Sequence, residues 1–332
     1  MTSMADDAHA RMQYRTAGRY GPMLPVLSLG MWQNFGDRAQ HDERREIVLA
    51  AFDAGVTHLD LAPEYGPPAG AAEEFVGSLL ATEFAGRRDE LTIATKAHGT
   101  GDEFAAGLDA SLGRLGTDHV DVLYAHCPGD TPAEHVVAAL DAAVQTGRAR
   151  SVGVSGATAE QTRLIADVAR ATGTPLSIAQ HGYSLFDRRA EGGARSGEYR
   201  TSVIDECEDH EMGFAAGSPL FQGLLTHTYR GGAIPERSRA AANDSFPRAW
   251  LTHRNMLRII SLEELARRRG QTVAQLVLAW VLYDERVTTA VMGVRSLGQL
   301  NENLAVLGTL DFDDAELSQI EPNGARAGCS IT

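Results

Sequence analysis

Eight short apolar runs recur along the chain, and segments with helical periodicity lie between them. The runs are LSLGMW at 27–32, VTHLDLA at 56–62, LTIATKA at 91–97, VDVLYAHC at 120–127, ARSVGVSG at 149–156, LSIAQHGY at 176–183, MGFAAGSPL at 212–220 and TTAVMGV at 288–294. Most are apolar throughout, which is typical of parallel strands buried on both faces. Eight strand–helix units in 332 residues predict an α/β fold, a (β/α)8 TIM barrel. A doubly wound sheet is less favoured, because no GxGxxG motif follows the first run.

The segments outside this repeat predict the rest of the domain organisation. MQYRTAG and PMLPV flank Tyr20 and Gly21 and predict an N-terminal β-hairpin. The barrel domain is expected over residues 12–321, between a flexible N-terminus at 1–11 and a C-terminal tail at 322–332. Stretches rich in Gly, Arg and Ser near 187–200 and 226–250 predict long loops after strands six and seven. Long loops of this kind tend to be functional.

The totals exclude several classes of protein. A net charge of −14 disfavours general binding to nucleic acid or to an anionic membrane, although a local pocket can still hold an anionic cofactor. No apolar run approaches the ~20 residues that span a bilayer, and the polar N-terminus does not resemble a signal peptide. The three cysteines, Cys127, Cys207 and Cys329, are far apart, which argues against a disulfide framework and a zinc site. A cytoplasmic protein with no metal ligand is therefore expected, and assembly into a homo-oligomer is compatible with the sequence.

Polar residues follow three consecutive apolar runs at the points where the predicted strands end. They are Asp60, Lys96 and His126, and Tyr65 lies on the loop five residues beyond Asp60. Catalytic groups of a (β/α)8 barrel gather at the carboxyl ends of its strands. Each residue alone has an ordinary structural role available to it: a turn-forming aspartate, a wall tyrosine, or a histidine satisfied in the core.

Taken together, the four residues suit proton transfer to a carbonyl oxygen. A tyrosine has a reference pKa of about 10, and a nearby ammonium favours the phenolate and lowers that pKa. Asp60 would keep the Lys96 ammonium charged and oriented, and His126 would direct the substrate carbonyl. The pattern predicts Tyr65 as a general acid toward a developing alkoxide.

Lys96 is the only lysine among the 30 lysines and arginines of the chain. A compact ammonium can approach both a carboxylate and a phenol, whereas arginine would present a bulkier fork. The residue pattern also allows two alternatives to this role. One is chance: in a chain that favours arginine, the position of the single remaining lysine need not have a function. The other is that a barrel lysine forms a Schiff base, as in an aldolase.

The four residues resemble the catalytic tetrad of the aldo-keto reductases. The similarity is carried from residue 12 to 321 by segments such as FDAGVTHLDLAPEYGPPAGAAEE, GLDASLGRLGTDHVDVLYAH and GQTVAQLVLAWVLYDERVTTAVMGVRSLGQLNENL. These segments are similar to the branch formed by bacterial L-glyceraldehyde-3-phosphate reductases and potassium-channel β-subunits. The resemblance implies NADPH-dependent reduction of an aldehyde or ketone to an alcohol, with hydride from nicotinamide C4 and a proton from Tyr65. It also implies a small-molecule carbonyl substrate bound by Trp32, Tyr65 and His126.

The resemblance further implies which residues bind NADPH or NADP+. Carried over position by position, they are Trp32, Asp60, Ser155, Gln180, Ser218, Pro219, Leu220, Arg239, Gly293, Arg295, Gln299, Glu302 and Asn303. The motif VMGVRS supports one end of this set, because it puts backbone N–H groups and an arginine at a helix N-terminus, where anions bind. A plain glycine turn with a surface arginine is the alternative interpretation.

Three departures from the family pattern bear on function. Thr228, in GLLTHTY, replaces a lysine expected at the cofactor pyrophosphate. Gly156, in GVSG, replaces the asparagine or serine that is commoner at this position. The loop KAHGTGDEF is shorter than in the L-glyceraldehyde-3-phosphate reductases. The substrate pocket is therefore expected to be more open, and the substrate of those enzymes is not assigned to this protein. A second function, an NADPH-binding redox-sensing regulatory subunit with vestigial turnover, remains as the alternative.

Overall fold

Eight parallel strands close into a barrel in the computed structural model of the protein, which describes residues 11–36, 41–192, 202–236, 238–242, 246–326 and 329–331. The strands follow chain order around the barrel, and the last pairs with the first. Numbered after the two strands of an N-terminal hairpin, they are β3 (Leu27–Gly30), β4 (His58–Asp60), β5 (Thr92–Ala97), β6 (Val120–His126), β7 (Ala149–Ser155), β8 (Ile178–Gly182), β9 (Gly213–Gly217) and β10 (Val287–Met292). The predicted (β/α)8 barrel is confirmed, and every strand lies in its apolar run except that β10 begins one residue earlier.

The strands are apolar throughout because both of their faces are buried. Alternate side chains, such as Ile93 and Leu123, belong to the large hydrophobic core that also contains helix residues. Their neighbours Ala94, Val122 and Ile178 form a separate cluster, which fills the barrel interior. Polar residues of the same parity as this second set therefore point into the barrel as well.

The hairpin closes the end of the barrel at which the strands begin. β1 (Tyr14–Thr16) and β2 (Met23–Pro25) pair antiparallel, as the sequence predicts. Ala17 and Leu24 from this hairpin join the interior cluster of the barrel and are fully buried. The opposite end, where the strands finish, is left for a site.

Helices flank the barrel, in the connections between its strands and after β10. They are α1 (His41–Asp53), α2 (Ala71–Ala81), α3 (Gly101–Leu115), α4 (Ala133–Gln145), α5 (Ala159–Thr172), α6 (Val203–Asp209), α7 (Arg239–Ala242), α8 (His253–Arg268), α9 (Val273–Tyr283), α10 (Leu297–Leu304) and α11 (Asp314–Ile320). Short 3₁₀ turns lie at Arg88–Glu90, Arg189–Glu191, Phe221–Gly223, His227–Gly232, Arg248–Trp250, Ala305–Gly308 and Glu321–Asn323. Among the residues that the structure describes, none of the helices has both the length and the apolarity needed to cross a membrane.

Long connections follow β8 and β9, the sixth and seventh barrel strands, as predicted. The first joins β8 to α6, and its residues 193–201 lie outside the described part of the chain. At the C-terminus, Ile331 donates its N–H to the carbonyl of Phe186 at 3.1 Å in this connection. Residues 1–10 of the expected flexible N-terminus also lie outside the described residues, and the domain limits at 12 and 321 stay predictions.

Gly18 in the hairpin turn offers a test of how the barrel is closed. It has a φ of +64°, and a Cβ there would lie 2.3 Å from the carbonyl oxygen of Glu211. Gly116, after α3, has a φ of +65° with nothing within 4 Å of an added Cβ. We expect Gly116→Ala to cost about 1 kcal/mol for the left-handed backbone, and Gly18→Ala to cost about 1–3 kcal/mol more for the clash.

Urea unfolding followed by circular dichroism measures both glycine variants against the wild type. Because the two glycines share one backbone conformation, the difference between their losses isolates the contact with the backbone at residues 211–213. Equal losses in the two variants would contradict a tight junction between the hairpin and the start of β9.

Candidate active site

The ends of three adjacent strands bring the predicted catalytic residues to one end of the barrel. Asp60 is the last residue of β4, Lys96 is next to last in β5, and His126 is the last residue of β6. Tyr65 lies on the loop that follows β4, within contact distance of Lys96. The four residues that the sequence groups together therefore share one site.

The ammonium of Lys96 lies at the centre of this site. Its Nζ lies 2.9 Å from Oδ1 and 3.0 Å from Oδ2 of Asp60, and donates at 2.8 Å to the carbonyl of Leu61. The Tyr65 hydroxyl oxygen is a further neighbour at 3.2 Å. Lys96 is 1% exposed and Asp60 is 2% exposed, so the pair is shielded from water. A buried ion pair is tolerated when hydrogen bonds satisfy both partners, and here they do.

Burial raises the pKa of Tyr65 to about 12, although the neighbouring Lys96 ammonium lowers it. The sequence predicts that the Lys96 ammonium lowers the pKa of Tyr65 toward neutral pH. This prediction is wrong, because the net shift of the pKa is upward. Burial disfavours the phenolate more than one ammonium, already paired with Asp60, can favour it. The phenol consequently keeps its proton at neutral pH, which is the form that a proton donor requires.

The pKa of Lys96 is also raised, although burial acts on this group in the opposite direction. Burial lowers this pKa, but Asp60 and Tyr65 together raise it by more, so that it lies above its ordinary value. A Schiff-base lysine must lose its proton before it can attack a carbonyl. The arrangement around Lys96 therefore disfavours the aldolase alternative.

His126 adds an imidazole to the same cavity wall as Tyr65. Its side chain is 23% exposed, with Nε2 3.8 Å from Oε1 of Glu64 and 3.6 Å from the Cys127 sulfur. Burial, together with the charge of Lys96, lowers the pKa of His126. The ring is therefore neutral at neutral pH, with one N–H donor and one acceptor nitrogen.

A hydrogen-bonded chain of three residues connects β4 to strands on the far side of the barrel. Gln180 of β8 donates its Nε2 to Oδ1 of Asp60 at 2.7 Å. Ser155 at the end of β7 donates its hydroxyl to Oε1 of Gln180 at 3.2 Å. These bonds set the orientation of the Gln180 amide and complete the hydrogen bonding of the buried carboxylate.

One cavity of about 1250 Å³ extends from this network to the loop between β10 and α10. The predicted site residues in its wall are Trp32, Asp60, Tyr65, His126, Ser155, Gln180, Ser218, Pro219, Leu220, Gly293, Arg295, Gln299, Glu302 and Asn303. Lys96 is buried behind the wall. The backbone of Arg239 belongs to α7, but its side chain lies outside the described part of the chain.

The loop between β10 and α10 forms the far end of the cavity. The Ser296 hydroxyl caps α10 by accepting from the N–H of Gln299 at 3.2 Å, and the Gln299 side chain accepts from the N–H of Arg295 at 3.1 Å. Arg44 of α1 donates to the carbonyl of Arg295 at 2.6 Å. Two arginines and a helix N-terminus thus meet at this end, an arrangement that suits an anion.

The segment after β9 is unusual in its backbone. Ser218, Phe221 and Gln222 have φ values of +52°, +48° and +55°, which are uncommon for residues other than glycine. Strained backbone of this kind is concentrated at functional sites. Farther along, Thr228 contributes a neutral hydroxyl to the cavity wall and accepts from the Thr226 hydroxyl at 2.9 Å.

The other two departures from the family pattern also have structural counterparts. Gly156 has a φ of +72°, and a Cβ there would lie 2.8 Å from the sulfur of Cys127. The glycine therefore makes room for the Cys127 side chain. Only residues 98–100 separate β5 from α3, so this part of the chain adds little to the wall above Lys96.

Several wall residues have no counterpart among the sequence predictions, namely Gln33, Asn34, Arg44, His181 and Gln222. Asn34 comes two residues after the first apolar run and donates to the carbonyl of Val294 at 3.2 Å, so its position near a strand end was a usable signal. Arg44 offers no such signal, since an arginine in the first turns of a helix resembles any surface charge.

Comparisons with known proteins agree with this geometry. A model described as the Aldo/keto reductase family matches residues 26–322. An L-glyceraldehyde 3-phosphate reductase of Escherichia coli (strain K12) is 40% identical over 331 residues, with 95% of this chain and 93% of the relative covered. A probable voltage-gated potassium channel subunit beta of Arabidopsis thaliana is 30% identical over 313 residues, with 90% and 92% covered. The crystal structure of a thermostable aldo-keto reductase with the inhibitor epalrestat gives a TM-score of 0.72 at 27% identity, with 94% of this chain and 100% of that chain covered.

The barrel and these matches make the protein an oxidoreductase of the (β/α)8 class. The chain belongs to the aldo/keto reductase family, as its sequence motifs indicate. Carbonyl reduction is the general reaction of that family, and its members generally use NAD(P)H.

The buried ion pair gives a test of the site that does not depend on catalysis. Lys96→Met leaves the Asp60 carboxylate buried without its cation, and we expect a loss of about 3–5 kcal/mol in the free energy of unfolding. The double variant Lys96→Met, Asp60→Asn removes both charges and should lose clearly less than Lys96→Met alone. Urea unfolding measures the wild type, Lys96→Met, Asp60→Asn and the double variant.

The matched control for this test is an exposed ion pair. Arg163 and Asp167 on α5 lie 3.4 Å apart with both side chains exposed, and Arg163→Met should change the free energy of unfolding by less than about 1 kcal/mol. A double variant of the buried pair that loses as much as the sum of its single variants would show that the two charges do not depend on each other.

Proposed function

We propose that the protein is an NADPH-dependent reductase that converts an aldehyde or ketone to an alcohol, with Tyr65 as the proton donor. The observation that carries this proposal is the 3.2 Å contact between Lys96 Nζ and the Tyr65 hydroxyl, at one end of a cavity that reaches the α10 N-terminus. One end of the cavity suits proton transfer to a small carbonyl compound, and the other end suits an anionic group.

In the proposed reaction, Tyr65 donates its proton to the carbonyl oxygen as negative charge develops there. Because the pKa of Tyr65 is held at about 12 by burial, the hydroxyl is protonated when the substrate arrives. Lys96, held in place by Asp60, stabilises the phenolate that remains. The neutral His126 ring donates an N–H to the same oxygen and so fixes the direction of the carbonyl.

The residues near the tetrad fit the nicotinamide end of a dinucleotide. Gln180 bonds to Asp60 and Ser155 but still has one N–H and one lone pair for a bound carboxamide. Trp32 shares the wall with these residues. When bound, the nicotinamide supplies the hydride from its C4, and the protein contributes placement and electrostatics.

The residues at the other end fit the phosphates and the adenosine. Ser218, Pro219 and Leu220 belong to the strained segment after β9 and line the cavity. We assign the 2′-phosphate to Arg295, with Arg239 proposed to assist at the pyrophosphate in place of the lysine that Thr228 replaces. The adenosine contacts are assigned to Gly293, Gln299, Glu302 and Asn303.

The substrate class follows from the wall near His126. Because only residues 98–100 connect β5 to α3, this connection covers little of the substrate pocket. We therefore expect carbonyl compounds bulkier than a triose to enter. The Glu64 carboxylate, 3.8 Å from Nε2 of His126, would repel a phosphorylated substrate. We therefore expect neutral aldehydes or ketones to be preferred to the phosphorylated substrate in the name of the Escherichia coli relative.

A redox-sensing regulatory subunit is the second candidate, favoured by the similarity to a probable potassium channel subunit beta. The contacts among Asp60, Lys96 and Tyr65 support turnover instead. The two candidates differ in the rate at which an aldehyde oxidises NADPH bound to the wild-type protein. A vestigial enzyme would be no faster than a variant that lacks the Tyr65 hydroxyl.

We expect Tyr65→Phe to lower kcat/KM by about 10²–10⁴-fold, because the general acid is removed. The Kd for NADPH should stay close to that of the wild type, since the phenol is assigned to the substrate carbonyl. NADPH absorbance measures turnover with an aldehyde panel, and quenching of tryptophan fluorescence measures binding. Tyr283→Phe is the matched control, because Tyr283 is 46% exposed at the end of α9. Near wild-type turnover in Tyr65→Phe would refute the role of Tyr65.

We expect Arg295→Ala to raise the KM for NADPH about tenfold and to leave the KM for NADH nearly unchanged. The reason is that a charge-assisted bond to the 2′-phosphate, present only in NADPH, is lost. Steady-state kinetics with both cofactors measures the two constants. Arg163→Ala on α5, an exposed arginine outside the cavity, should alter neither KM. A parallel rise in both constants would contradict the assignment of Arg295 to the 2′-phosphate.

A further inference from the structure

Three side chains with metal-binding atoms meet around His126, which lines the cavity beside the tetrad. Glu64 lies on the loop after β4, His98 directly follows β5, and His126 ends β6. One ligand atom from each lies within 4.8 Å of the other two. Nε2 of His98 is 3.4 Å from Oε2 of Glu64, and Nε2 of His126 is 3.8 Å from Oε1 of Glu64.

These distances are close to those that a tetrahedral zinc ion imposes on its ligands. Zinc–nitrogen and zinc–oxygen bonds of about 2.0–2.2 Å separate neighbouring ligand atoms by roughly 3.3–3.5 Å. Glu64 and His98 have exposed side chains, at 43% and 50%, so small rotations can bring the three atoms onto one ion without disturbing the core. Two imidazoles and one carboxylate are also a ligand set that zinc uses in proteins.

The electrostatic state of the cluster favours a cation. An imidazole binds a metal through an unprotonated ring nitrogen, and Nε2 of His126 faces the Glu64 carboxylate. Lys96 itself has its charge directed at Asp60. Glu64 supplies a negative charge that is not part of the tetrad.

We propose that Glu64, His98 and His126 bind a zinc ion, with water in the fourth position, next to the point where His126 lines the cavity. The three residues come from consecutive strand ends, so the site exists only in the folded barrel. Zinc bound here withdraws Nε2 of His126 from the substrate carbonyl, and the ion acts as an inhibitor. The inhibitory part rests on the proposed function of His126, whereas the binding part does not.

The test measures zinc binding to the full-length protein by competition with a chromogenic zinc chelator. Cys127 and Cys329 are exposed thiols that bind zinc by themselves, so every protein in the series carries Cys127→Ser and Cys329→Ser. We expect one zinc ion per chain in this background. His98→Gln and Glu64→Gln should each weaken binding by about tenfold or more, because each removes one of three ligands.

The matched control is His41→Gln. His41 is a second partly exposed histidine near a carboxylate, 3.9 Å from Asp42, and lies on α1 away from the cluster. The control should bind zinc as tightly as the background protein. Equal affinity in His98→Gln, Glu64→Gln and the background would overturn the site, as would a background protein that binds no zinc. Thermal unfolding midpoints of all variants check that a lost site is not a lost fold.

Inhibition is measured separately, by adding zinc chloride during NADPH-dependent turnover. We expect half-inhibition near the zinc Kd in the background protein and at a concentration about tenfold higher in His98→Gln. If zinc binds with the expected variant pattern while turnover is unaffected, the metal site stands and the assigned role of His126 fails. If no reductase activity is found at all, the binding series still decides the metal site.

Discussion

The buried ion pair between Lys96 and Asp60 is the interaction on which the site depends. Removing two charges from water carries a large desolvation penalty, and the penalty is offset only where both partners are fully hydrogen-bonded. Here the ammonium contacts the carboxylate, the Leu61 carbonyl and the Tyr65 hydroxyl, while Gln180 donates to the same carboxylate. The pair therefore constrains the positions of residues on three strands and one loop.

Parallel strand pairing spreads this constraint around the barrel. Lys96 lies opposite Tyr124 in the β5–β6 register, and His126 lies opposite Ser155 in the β6–β7 register. Ser155 in turn lies opposite Gln180, so successive strand ends bring Lys96, His126, Ser155 and Gln180 to the site in order. A shift of one residue in any of these registers would turn a site residue from the barrel interior to the helix layer.

The Tyr65 phenol shows where residue chemistry alone leads to a wrong conclusion. An ammonium beside a phenol lowers its pKa, and the structure agrees that Lys96 acts in this direction. Burial acts in the opposite direction and is the larger effect, so the net pKa rises to about 12. Burial depends on every element packed around the hydroxyl, and no local sequence pattern reports it. The same holds for Arg44, which contacts the Arg295 loop from a helix 251 residues away along the chain.

The sequence by itself determined the barrel, the hairpin, the two long connections and the grouping of Asp60, Tyr65, Lys96 and His126. It could do so because apolar runs and helical periodicity are local, and because a parallel barrel brings all strand ends to one face. Only the tertiary structure decided the protonation of Tyr65, the bonds of Gln180 to Asp60 and Ser155, and the meeting of Glu64 and His98 with His126. These features depend on burial and on contacts between residues far apart in the chain, and both exist only once the barrel has closed.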